Sequence, residues 1–188
     1  MHNNHRPRVH TATPQVGAAA AVLANQDVLG SVLFCLALNH KQMALYFAPA
    51  FFATLLGKAL RRPTITAKLA AIARLGATVI ATFALVWAPF LAPDPSAALP
   101  VLQRLAPVHR GLYEDYVANW WCVSGLAGIK WKRLLTQQQL VGVCTLTTAL
   151  AFLPALVQQV LRPSQRGLLL CMANSAMAFF LFSYMVRF

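Results

Sequence analysis

Charge is what this chain is short of. Charged residues make up 11% of its 188 positions, against about a quarter in an average soluble domain. Acids are scarcest: Asp27, Asp94, Glu114 and Asp115 stand against 16 lysines and arginines. Phosphate-cradling and hydrolytic signatures are missing too, with no P-loop, GxGxxG, GxSxG or HExxH pattern. The four cysteines imply no disulfide framework. Cys35, Cys144 and Cys171 sit in apolar runs as small apolar residues, and Cys122 has no evident partner. His40 and His109 lack neighbours at ligand spacing, so no metal is expected, and nothing calls for a cofactor. Residues 1–15 are basic, but no small-residue cleavage site follows a compact apolar core, so no cleavable signal is expected. Internal repeats, heptads and low-complexity tracts are likewise missing, and composition excludes disorder, collagen and a disulfide-rich secreted scaffold.

What is present is hydrocarbon. Hydrophobic residues account for 59% of the chain and the mean hydropathy is +0.58. A soluble protein of this size cannot hide that much apolar surface, so part of its solvent is lipid. The net charge of +12 would suggest nucleic acid in a soluble protein. Here the cations cluster between apolar runs, the pattern of a membrane protein with charged loops, and no nucleic-acid partner is expected.

A membrane-crossing helix needs roughly 17–25 predominantly apolar residues. Five runs approach this, at about 16–38, 42–57, 75–92, 139–161 and 168–186. The first is weakened by Gln26 and Asp27. The second is short, with Pro49 near its middle, and the fourth contains Pro154. Proline is tolerated inside a membrane bundle because neighbours re-satisfy the freed carbonyl. The fold class expected is therefore all-α: a polytopic helical membrane protein of about five spans. Of the intramembrane charges that would favour a transporter or channel, Asp27 is the single candidate.

Orientation follows from the cations. The stretch 58–74 holds Lys58, Arg61, Arg62, Lys68 and Arg74 with no acid, and 162–167 holds two arginines with no acid, so both are expected to be cytoplasmic. The two spans between them then agree in parity. A tail, 1–15, falls on the same side, and the membrane domain 16–188 carries one long outer loop, 93–138, holding three of the four acids. That loop also carries Arg104, Arg110, Lys130, Lys132 and Arg133, against the charge rule. Long loops translocate regardless of charge; the alternative is an anionic ligand at the outer surface.

Within it, HRGLYEDYVANWW at 109–121 fits an amphipathic helix lying at the interface. Arg110 and Glu114 would share one face, as would Asp115 and Asn119, with Leu112, Tyr116 and Trp120 on an aromatic side. The plain reading is an anchor with an ordinary exposed ion pair. The chemical reading is a pair of carboxylates beside cations that positions a polar substrate or takes a hydroxyl proton. Asn39, His40, Lys41 and Gln42 form a short polar turn on the same side, either a hairpin turn or one wall of a substrate groove.

Four stretches together resemble a known family: SVLFCLALNHKQMALY at 31–46, FFATLLGK at 51–58, RLAPVHRGLYEDYVANWWC at 104–122 and AMAFFLFSYMV at 176–186. They are similar to the endoplasmic-reticulum glucosyltransferases that use dolichyl-phosphate glucose. The wording of RGLYEDYVANWWC is nearer to the α-1,3-glucosyltransferase branch that adds the first glucose than to the sister branch that adds the second. The resemblance covers roughly 28–186. It implies part of a C-type glycosyltransferase fold in the endoplasmic-reticulum membrane, with a lumenal active face. It implies dolichyl-phosphate glucose as donor and a dolichyl-pyrophosphate-linked oligosaccharide as acceptor, in N-glycan precursor assembly. Both ligands are anionic, which gives Lys41, Arg104 and Arg110 a phosphate partner. Gln42, Glu114, Asp115 and Asn119 would then bind or position substrate.

The family's catalytic aspartate lies in a first lumenal loop that nothing in residues 1–30 matches. The family also continues past the SY-x-V stretch with a His-Glu-Lys-Ser motif. A partial chain without the general base, inactive by itself, is therefore expected. The competing expectation is a non-catalytic membrane binding or interaction protein derived from the family.

Overall fold

The computed structural model describes residues 14–92 and 119–182 of the chain, and these are helical throughout apart from turns. Helix α1 (Pro14–Leu23) and α2 (Asp27–His40) are followed by a 3₁₀ helix (Gln42–Phe47), α3 (Ala48–Leu60) and α4 (Ile65–Leu91). After residue 118 come two short helices, α5 (Trp120–Leu126) and α6 (Trp131–Leu134), then α7 (Gln137–Leu161) and α8 (Gln165–Phe182). Four helical stretches are long and apolar enough to cross a membrane: Met43–Leu60, Ile65–Leu91, Gln138–Leu161 and Gln165–Phe182. The protein is an all-α, polytopic membrane protein.

The first expected span is corrected. Residues 16–38 are not one crossing helix but two, of 10 and 14 residues, each too short for a hydrocarbon core that needs about 20. The chain reverses at Asn25, whose φ of 61° lies in the left-handed region that asparagine tolerates better than most residues. The two helices then pack antiparallel. Gly30 makes this possible: a Cβ there would meet Val22 Cγ2 at 2.5 Å and the Ala18 carbonyl at 3.2 Å. The break falls at Asn25, next to the Gln26 and Asp27 that weaken the run in sequence, and these two cap and open α2.

Two further boundaries move. Pro49 lies in the first turn of α3, where its missing N–H has no helical partner to lose, rather than in mid-helix. The stretch 58–74 is not a linker. Lys58 ends α3, Lys68 and Arg74 ride on α4, and the connection shrinks to 61–64, with Thr64 capping α4 through the Ala67 N–H at 3.2 Å. Helix α4 thus has 27 residues, about 40 Å of rise. The last two spans agree with expectation, and Thr136 and Gln139 close a full capping box before α7.

Small residues let the elements approach. Ala18, Ala19, Val22, Ala50, Phe51, Leu168 and Cys171 form one core that joins α1, α3 and α8. Gly57 seats α3 against α7, where a Cβ would meet the Gln159 and Val160 carbonyls at 2.8 Å. Hydroxyls inside this core are satisfied locally: Thr54 donates to Ala50 O and accepts from Gln159 Nε2, and Ser175 donates to Tyr46 O at 2.6 Å. Helix α4 stands apart from this core. Thr82 is its one buried residue, while Ile65, Leu69, Ile80, Leu85 and Phe90 are exposed, as suits a lipid-facing helix.

Candidate functional site

The bundle has two chemically different ends. At one, Lys58 bonds Asp27 at 2.7 Å and the Val22 carbonyl at 2.6 Å, and Arg61 donates to the Leu161 carbonyl. These contacts bring the α1–α2 turn, the 61–64 connection and the 162–164 turn together. The two acid-free basic stretches, 58–62 and 162–167, therefore share this basic end. At the other end lie Asn39–Met43, the last turn of α4, the segment 119–136 and the end of α8.

The aromatic end is held by tryptophan. Trp87 donates from Nε1 to Asn39 Oδ1 at 2.8 Å, tying α4 to α2, while Asn39 Nδ2 donates to the Cys35 carbonyl one turn back. Trp121 is buried and donates to the Phe182 carbonyl at 3.0 Å, fastening α5 to the end of α8. Trp131 meets Trp121 edge to face at 5.2 Å and donates to Ser124 Oγ at 2.8 Å. Leu140 and Cys144 of α7 close the cluster from below. An indole presents a large apolar body with one donor, which suits this half-wet position.

Lys41 sits in the break between α2 and the 3₁₀ helix. It is exposed, its backbone is extended at φ −138°, and its carbonyl starts the next helix by accepting from Ala44 N–H. Gln42 is the first residue of that 3₁₀ helix. Lys130 and Arg133, which flank and occupy α6, are exposed at the same end. Among the described residues this end carries cations and no carboxylate, since Asp27 is at the opposite end. No group of three metal-ligating side chains occurs among the described residues either.

Asn119 has a structural job that its spacing did not suggest. It is extended, at φ −110° and ψ 172°, and its Oδ1 caps α5 by accepting from Cys122 N–H at 2.9 Å. It is also buried. A helix running unbroken through 109–121 is thus corrected: Trp120 and Trp121 open a new helix. Arg104, Arg110, Glu114 and Asp115 lie outside the described residues. The Asn39–Trp87 bond and the Trp121–Trp131–Ser124 cluster were not singled out from sequence. The tryptophans' interfacial preference was the available signal; their partners, 48 and 61 residues away, gave none.

Alongside the bundle, α2, α3 and α4 enclose an almost wholly apolar groove of about 470 Å³. Its lining runs from Ala59 and Ile72 towards Leu38, Ala48 and Phe83. Ser31 is its one hydroxyl, already bonded to the Asp27 carbonyl at 2.8 Å.

Comparison with known proteins gives one consistent picture. The family model described as the ALG6, ALG8 glycosyltransferase family matches residues 13–187. A relative from Arabidopsis thaliana, the probable dolichyl pyrophosphate Man9GlcNAc2 alpha-1,3-glucosyltransferase, is 52% identical over 172 residues, which are 92% of this chain and 31% of the relative. The mouse dolichyl pyrophosphate Man9GlcNAc2 alpha-1,3-glucosyltransferase is 43% identical over 86% of this chain and 31% of its own length. A probable enzyme of the same name from Schizosaccharomyces pombe is 41% identical over 90% of this chain and 33% of its own. The chain spans about a third of the length of these curated relatives.

Proposed function

The chain belongs to the ALG6, ALG8 glycosyltransferase family, and on that basis we propose that its helices form part of the membrane domain of an endoplasmic-reticulum α-1,3-glucosyltransferase. The reaction is transfer of glucose from dolichyl-phosphate glucose to a mannose-rich, dolichyl-pyrophosphate-linked oligosaccharide, in assembly of the N-glycan precursor. The family match across 13–187 carries this reading. The relatives' shared Man9GlcNAc2 wording favours the first glucose over the second.

The cation-rich aromatic end supports the chemistry. An acceptor hydroxyl attacks the sugar's anomeric carbon, the bond to phosphate breaks, dolichyl phosphate leaves with the electron pair, and the hydroxyl proton passes to a base. A β-linked donor yielding an α-product is an inversion, so one base and a set of phosphate-stabilising groups suffice. Lys41, Arg104 and Arg110 are the proposed phosphate partners, with Lys130 and Arg133 adding positive potential at the same end. Gln42, Glu114 and Asp115 are proposed to position sugar hydroxyls, and Asn119 to act through its cap by fixing where the loop meets α5. The base is assigned to none of these residues. The aromatic end is proposed to face the lumen, since more of the described cations, among them Lys58, Arg61, Arg62, Arg162 and Arg166, gather at the other.

The test places the substitutions in a full-length enzyme of the family that carries this segment, expressed in cells lacking their own enzyme of this class, with glucosylation of the lipid-linked oligosaccharide as readout. Arg110→Ala and Asp115→Ala are each expected to lower transfer at least tenfold with membrane insertion unchanged, as for loss of a charge-assisted contact made in the transition state. Unchanged transfer in both would reduce the loop to an anchor. Donor binding without any transfer by the unsubstituted full-length protein would favour the reading as a non-catalytic binding protein of the family.

A further inference from the structure

The apolar groove does not end in open lipid at the basic end. It shares Leu55, Ala59 and Leu75 with a small polar cleft whose other walls are Asp27, Lys58, Arg62, Ala71 and Arg74. Hydrocarbon lining therefore passes within one helical turn into cations. Of these, Lys58 is held by Asp27 and the Val22 carbonyl. Arg62 and Arg74 are exposed, and among the described residues neither is paired with a carboxylate. Arg62 lies in the connection after α3 and Arg74 on α4, so their place on one cleft is a product of the fold.

We propose that this cleft and groove together bind an anionic glycerophospholipid, with its phosphate at Arg62 and Arg74 and one acyl chain along the groove. Three observations select this occupant. Guanidinium groups match phosphate oxygens in geometry as well as charge. The groove volume of about 470 Å³ lies within the range of built ligand pockets, and Ser31 leaves it no unsatisfied hydroxyl. From Ile72 to Phe83 the groove follows α4 for about 16 Å, close to one leaflet of a core about 30 Å thick. That length suits an acyl chain and not a polyprenyl chain, which would overrun it. Its phosphate end lies opposite the proposed sugar chemistry, while the groove reaches Leu38 and Ala48 beside the 3₁₀ helix; the proposal does not rest on that chemistry.

Gly76 supplies a clean probe. It lines the groove, and a Cβ added there meets nothing within 4 Å. Gly76→Leu should therefore fill the groove without displacing a helix. The experiment is native mass spectrometry of the purified full protein, equilibrated in mixed phosphatidylserine and phosphatidylcholine, counting retained lipids of each kind. Arg62→Gln and Arg74→Gln are each expected to cut the serine-to-choline preference about fivefold. Gly76→Leu is expected to lower retention of both lipids. Arg162→Gln with Arg166→Gln, two cations at the same end that do not line the cleft, should leave the preference unchanged. The proposal is overturned if the Arg162 and Arg166 pair matters as much as Arg62 and Arg74, since a diffuse surface charge would then suffice. It is equally overturned if Gly76→Leu leaves retention intact, or if a polyprenyl phosphate competes for the site more strongly than phosphatidylserine.

Discussion

Asn119 and Thr64 show how much of a membrane protein's polar chemistry goes into ending and starting helices. Each gives a side-chain oxygen to a backbone N–H three residues on, Cys122 and Ala67 respectively, as preferred capping residues do. Asn119→Ala is expected to destabilise the protein by about 1 kcal/mol, read as a lower unfolding temperature in detergent, while Asn119→Asp keeps most of the stability. In a full-length enzyme of the family that carries this segment, glucose transfer should fall in step with stability in the alanine variant and not in the aspartate variant, because the proposed role runs through the cap. A polar residue before an apolar run is a legible start signal. What the spacing could not show is that Asn119 is extended and that a helix begins just after it. Residues four apart look the same on paper whether one helix or two pass through them, and the extended ψ of 172° that separates the cases is a backbone fact.

At the scale of elements, the α1–α2 hairpin depends on three short-range facts and one long-range bond. Asn25 turns the chain, Gly30 admits Val22, and Asp27 opens α2 where a helix N-terminus favours an anion. The bond from Asp27 to Lys58 then fixes the hairpin to α3 across 31 residues, with both side chains mostly shielded. Asp27→Asn is expected to cost about 2 kcal/mol, the loss of a charged hydrogen bond that also strands Lys58. Asp27→Asn combined with Lys58→Met should recover part of it, since removing both partners costs less than removing one. Thermal unfolding of the three proteins checks this, and an unaffected single variant would make the pair ornamental. Gln26 and Asp27 were legible as a weakness in the run, but the turn at Asn25 was not singled out. Asp27 as the partner of Lys58 was not legible, because hydropathy treats Asp27 as a blemish in an apolar run and cannot see which cation it meets.

Across the whole molecule the decisive feature is polarity of its two ends. Helices α4 and α7 separate the basic stretches from the segment 119–136, so a marker at each end should report opposite sides of the membrane. A glycosylation acceptor inserted beside Tyr113 is expected to be modified in the lumen, and one inserted between Arg162 and Gln165 is expected to stay unmodified. Gel shift after deglycosylation reads both. A cytosolic marker at Tyr113 would remove the proposed phosphate chemistry along with the orientation.

Hydropathy and charge along the chain were enough for the class of protein, its lipid solvent and most of its crossing helices, because burial in hydrocarbon demands long apolar runs that no other pattern mimics. The family wording in RGLYEDYVANWWC was enough for the reaction to propose. Tertiary structure alone decided that Arg62 and Arg74 line one cleft, that Asn39 meets Trp87, and that an apolar groove opens between α2, α3 and α4. Those pairings depend on how far apart helices settle once glycines and alanines have set their contact distances. That distance is a property of the packed bundle, which no single stretch of sequence contains.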